Sequence, residues 1–198
     1  MIKFSGFLVL ALLLTACGRQ ERREAASLCK ALSQKQADLI AVNNLEKDLM
    51  GSARPWCEGI LSNGAGKGKE LEENAASAKA MAFSAGEVAN QIGRLRQAIY
   101  DLPLQEEYPQ SVRSTLINQM MQRQKKLQEV RAALDSSSAD FLNFARSRDY
   151  KGDSYPAAMD KLHSLISGYT GPEDAFAKAI GELKTKYTLS DADLAGRT

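Results

Sequence analysis

The chain has 198 residues with 26 basic and 24 acidic side chains, a formal charge of +2. That is long enough for a substantial core and too evenly charged to project a field toward a polyanionic partner. Only 5 prolines and 1 tryptophan, in a sequence rich in Ala, Leu, Gln, Lys and Glu, favour helices over sheets. A single histidine, His163, excludes the two-His zinc sites and the paired Glu-x-x-His ligands of di-iron bundles.

In chain order, Lys3 supplies one positive charge ahead of the apolar run "FSGFLVLALLL". That run is shorter than the roughly 20 apolar residues a bilayer span requires, and it has the form of a secretory signal. Small residues Thr15 and Ala16 then precede a cysteine. The stretch Leu14-Thr15-Ala16-Cys17 resembles the lipobox of bacterial lipoproteins, a likeness confined to about the first 17 residues.

The resemblance implies that residues 1–16 are a removed signal peptide and that the Cys17 thiol carries diacylglycerol. It further implies that the new amino group is acylated, as by palmitate. One acyl chain anchors only marginally, so several make a stable membrane attachment. Gly18 occupies the position where Asp, in the lipoproteins of enteric bacteria that the motif resembles, favours inner-membrane retention. The implied location is therefore the outer membrane, facing the periplasm, with the inner membrane as the alternative. Nucleic acid is not an expected partner there.

Residues 17–24 are charged and lack apolar periodicity, which predicts a short lipidated tether. Leu28, Leu32, Leu39, Val42, Leu45 and Leu49 recur at helical spacing and predict a first helix over about 24–50. "SNGAGKGK" follows as a linker. Its glycines mimic a phosphate-binding loop, but Leu61 and Gly68 stand where that pattern needs Gly and Ser or Thr. A second helix, about 69–100, carries the stripe Leu71, Ala75, Ala78, Ala82, Ala85, Val88, Ile92, Leu95 and Ile99. Its alanine-rich part predicts close helix packing or a groove. After "DLPLQEEYP" a third helix of about 109–149 is predicted, with "DSSS" at 135–138 as its weakest point. Shorter helices are expected at about 155–168, with His163 on the flank of its apolar face, and at about 172–187, after the stop-and-start signal "YTGPED". The expected fold is all-α: an elongated antiparallel helical bundle with long second and third helices, one domain over 25–190 and a tail over 191–198.

No catalytic, metal or cofactor site emerges. Glu72-Glu73, Glu106-Glu107 and Asp191/Asp193 lie in polar contexts with nothing apolar to raise a pKa. Arg123, Lys125, Lys126 and Arg131 make the middle of the third helix basic. They read first as a solvated face and second as a patch for an anionic partner such as lipid headgroups.

Cys29 and Cys57 pull two ways. An oxidising compartment favours a bridge between them, which needs a bend or hairpin in residues 41–54, with Asn43-Asn44 at its midpoint. The apolar phase, by contrast, runs straight through that pair. The expectation carried forward is a Cys29–Cys57 disulfide.

Together these features predict a non-enzymatic lipoprotein that acts as a protein-interaction or envelope-complex adaptor, the immunity or inhibitor type being one form. Its protein partner is not identified by the sequence. The alternative is a helical carrier that binds a small ligand or cofactor in the groove beside the alanine-rich part of the second helix.

Overall fold

The structure, a computed structural model, describes residues 5–147, 151, 155–169 and 174–195, with side chains from residue 18 to 194 within those ranges. The fold is all-α. Among the described residues there are six helices and no strand: α1 (Ser5–Asn63), α2 (Lys69–Tyr100), α3 (Glu107–Arg146), α4 (Ala158–Ser167), α5 (Ala175–Tyr187) and α6 (Asp191–Ala195). No helix is long and apolar enough to cross a membrane, among the described residues.

The bounds of α2 match the sequence expectation, because one narrow apolar stripe runs its whole length. Every member from Leu71 to Ile99 is buried. Helix α3 passes through 135–138 without a break. The Ser137 hydroxyl donates to its own helix at the Ala133 carbonyl, 2.9 Å, and Ser138 donates to the Ala75 carbonyl of α2, 2.8 Å. The serines that could have competed with the helix thus serve it. The signal at 170–173 lies outside the described residues. Next to it, Asp174 caps α5 by accepting from the Ala177 N–H at 3.0 Å.

Helix α1 departs most from expectation. It takes in the segment read as a tether and continues past residue 50 with Pro55 inside it. Pro55 is exposed and so is Gly51, whose carbonyl loses its helical donor, so water can satisfy what the proline removes. No hairpin forms at 41–54, and Cys29 and Cys57 are both free and buried. The disulfide expectation is therefore corrected. An uninterrupted helix of 28 residues advances roughly 42 Å, whereas bridged Cα atoms lie about 6 Å apart. Each thiol donates instead to a carbonyl: Cys29 to Ile180 at 3.9 Å and Cys57 to Met159 at 3.8 Å.

Burial pushes both thiols up to about 11, so neither supplies a reactive thiolate at neutral pH. The native protein should therefore show two unmodified thiols after brief exposure to iodoacetamide, and both should alkylate once it is unfolded. A raised pKa stabilises below the ordinary thiol value of about 8.5 and is lost as pH climbs toward 11, so their contribution fades on the alkaline side.

The chain groups into two compact units, and α1, α2 and α3 each run through both. The first comprises Met1–Asp38, Leu95–Gln119 and Asp174–Thr198; the second comprises Leu39–Arg94 and Met120–Glu173.

In the first unit α5 runs antiparallel to α1, as contacts from Arg22 to the Thr188 carbonyl, Cys29 to Ile180 and Gln36 to Asp174 show. Leu28, Leu32, Phe176 and Leu183 fill its interior. The Glu24 carboxylate accepts from the backbone N–H groups of Gln105 and Glu106 at 2.7 and 2.8 Å. Burial pushes the Glu24 carboxyl up, but those N–H groups together pull it further down, and it ends below its ordinary value.

In the second unit α2 and α3 are antiparallel: Ala75 faces Ser138, Lys79 pairs with Asp135 at 2.7 Å, and Gly86 abuts the Arg131 side chain. A Cβ at Gly86 would lie 3.0 Å from Arg131 Nη1, so the bare backbone accommodates the arginine. Trp56 of α1 meets Phe141 of α3 edge to face at 6.0 Å, a contact worth about 0.5–1.5 kcal/mol beyond its buried area. The loop read as a linker is an ordered turn. Gly64 and Gly66 take φ of 76° and 74°, Asn74 donates to the Ala65 carbonyl, and Trp56 donates to Asn74.

Candidate functional site: an apolar groove over a buried polar network

The phase of α1 decides what the second unit presents. The central buried positions run 39, 42, 46, 49, 53, 57 and 60, steps of three and four flanked by buried Asn43 and Met50, which place Glu46 in the core stripe and Leu45 beside it. Leu45, expected in the core, is 44% exposed, and Glu46 is fully buried.

A buried carboxylate needs partners, and Glu46 has them from two other segments. Arg123 of α3 pairs with one carboxylate oxygen, and the Tyr169 hydroxyl donates to the other. Arg123 also donates to the Asn43 side chain at 2.8 Å, while its own Nε is buried without a partner. Lys126 donates to the Gly168 carbonyl at 3.1 Å and lies 5.0 Å over the Tyr169 ring. Burial, then the Glu46 hydrogen bond and charge, push the Tyr169 phenol far up, so it remains a proton donor. The network fastens the end of α4 to α1 and α3.

The basic stretch looks different in this light. Arg123 turns inward to Glu46, Lys126 donates to the Gly168 carbonyl at the surface, and Arg131 approaches Asp135 at 3.6 Å. Lys125, exposed, takes part in none of these contacts. Of the four cations, Arg123 is the one drawn to a buried carboxylate. His163 is half-buried beside Leu162 on α4. Among the described residues no three His, Cys, Asp or Glu side chains converge to hold a metal ion. The Cys17 side chain lies outside the described residues.

Leu45 opens onto a groove between α1 and α2, entirely within the second unit, of about 420 Å³. Leu45, Asp48, Leu49 and Ser52 form one wall; Met81, Phe83, Ser84, Glu87, Val88 and Gln91 form the other. Phe83 is 70% exposed, the most exposed large hydrophobic side chain among the described residues. Asp48 and Glu87 put a carboxylate on each wall, both exposed.

No protein family, curated protein or solved structure matches this chain. Chemically, the groove offers apolar area, the hydroxyls of Ser52 and Ser84 and two acidic groups, and neither the histidine nor a described cysteine lines it. The alanine-rich part of α2 was expected to give close packing or a groove; its stripe alanines are buried and none lines this groove, and sequence reasoning missed Phe83 and the Glu46 network. The signal for Glu46 was present, since it falls in phase with Leu39, Val42 and Leu49.

Proposed function

We propose that this protein is a non-enzymatic interaction module, held on the periplasmic face of the outer membrane by acyl chains on Cys17, that binds a protein partner through the α1/α2 groove. The observation that carries the reading is Phe83, held out in water on the lip of an apolar groove. Burying an aromatic side chain of this kind is worth about 1.5–3 kcal/mol, and exposed aromatics of that sort are typical anchors of protein interfaces. The partner segment that fits is an amphipathic helix with apolar residues facing Leu45, Leu49 and Val88 and a basic residue near Asp48 or Glu87. Crosslinking in cells followed by purification tests the reading: a defined protein should be captured by the wild type and lost with Phe83→Ser.

A second reading, a small-ligand carrier, draws on the same groove, whose volume falls within the roughly 300–1,000 Å³ of ligand pockets. Absorbance of the purified protein in the near-ultraviolet and visible separates the two, since a bound chromophoric cofactor would colour it.

The anchor has its own test. Cys17→Ser should leave the protein unprocessed or soluble, because none of the described helices is long and apolar enough to cross a membrane. Persistence in the membrane pellet after a high-salt wash would refute the lipid anchor.

A further inference from the structure

In the first unit, the start of α1 and the C-terminal segment enclose a cleft of about 390 Å³. Arg19, Arg22, Arg23 and Lys30 line one side, and Leu189, Asp193 and Leu194 the other. Four cations on one helix face would ordinarily be neutralised by neighbouring carboxylates, yet here most of those carboxylates are spent. Glu24 is occupied by the Gln105 and Glu106 N–H groups. Glu21 lies beside the Tyr187 hydroxyl, although without a well-formed hydrogen bond. Asp193 pairs with Arg22 at 3.2 Å. Arg19, Arg23 and Lys30 are exposed and enter no ion pair among the described residues.

From this arrangement we propose that the cleft binds the phosphate of an anionic phospholipid, taken from the leaflet that holds the acyl chains of Cys17; the choice of leaflet rests on the anchor reading. Arg19 and Arg23 follow Cys17 by two and six residues. Along a helix that is roughly 3 and 9 Å, within about one screening length of the surface. Leu189 and Leu194 give the upper acyl carbons an apolar wall opposite the cations, a match to a headgroup–chain boundary that a free anion does not need. Arg22, held by Asp193 and the Thr188 carbonyl, fixes the C-terminal segment as the far wall. The contact would hold the first unit against the membrane instead of letting it swing on its acylated terminus.

Vesicle binding by the chain from residue 17 onward, carrying Cys17→Ser, isolates the cleft from the acyl chains and from the apolar run of residues 1–16. Vesicles containing phosphatidylglycerol should bind it far more tightly than phosphatidylcholine vesicles, with a preference that disappears in high salt. Adding Arg19→Gln, Arg23→Gln and Lys30→Gln should weaken the binding roughly a hundredfold, at about fivefold per cation near an anionic surface. Arg19→Lys with Arg23→Lys should retain it. The control set Lys47→Gln, Lys125→Gln and Lys161→Gln removes as much charge from exposed positions of the second unit and should change little. Equal losses in both sets, an undiminished preference in the first, or displacement of the protein by inorganic phosphate at constant ionic strength would overturn the proposal. Failure of the anchor reading shows separately, as wild-type protein without acyl mass on Cys17.

Discussion

Glu46→Ala should destabilise the protein by about 3 kcal/mol, because it strands Arg123 and the Tyr169 hydroxyl together. Breaking one side of a buried ion pair costs about 3–5 kcal/mol. Arg123 keeps 19% of its side chain exposed, so water recovers part of that cost and the lower end applies. For a chain of this size each kcal/mol moves the Tm by about 2–4 °C, which puts the expected drop near 10 °C. Replacing the network as a whole separates its two contributions. Glu46→Leu with Arg123→Met and Tyr169→Phe removes charges and donors together, and should recover most of the lost stability. Chemical denaturation of both variants checks this. A loss below about 1 kcal/mol in Glu46→Ala would mean that solvent reaches the carboxylate and the network does not secure α4.

Phe83→Ser should do the opposite, leaving stability within about 0.5 kcal/mol while abolishing partner capture. An exposed aromatic contributes little to its own fold, whereas a central interface anchor costs 2 kcal/mol or more when truncated, at least about thirtyfold in affinity. Leu45→Ser should behave in the same direction with a smaller effect, because its side chain is already part-buried on the groove wall. The pair of measurements decides the matter: unchanged unfolding with lost binding identifies an interface, whereas lost unfolding stability would make Phe83 part of the fold.

What could be read from the sequence depended on how far a signal ran. The α2 stripe, from Leu71 to Ile99, spans about eight turns, and no local residue could override it. The six-fold recurrence on α1 was equally clear up to Leu49, but Pro55 and Asn43-Asn44 read as breakers. They are tolerated for reasons invisible in one dimension: Pro55 faces water, and Asn43 is buried against Arg123. The disulfide followed from an argument about compartment that outweighed a periodicity argument, and here the periodicity was the better guide. Arg123 looked like surface charge because Glu46, its partner, lies 77 residues away. The C-terminal segment read as a tail, although Ser190 and Asp193 carry a capping pattern. Ser190 N–H donates to the Asp193 carboxylate at 2.7 Å and the Asp193 N–H returns to Ser190 at 3.3 Å, opening α6. Phe83 gave no sequence signal at all; only its exposure on the folded α2 singles it out.

Site-specific photocrosslinking in living cells tests the central claim most directly. A photoreactive residue in place of Phe83 should give one defined protein adduct, and one in place of the exposed Lys161 on α4 should give none. Equal labelling at both positions, or no adduct at 83 from protein present at wild-type level, would contradict the assignment of the α1/α2 groove as the partner-binding surface.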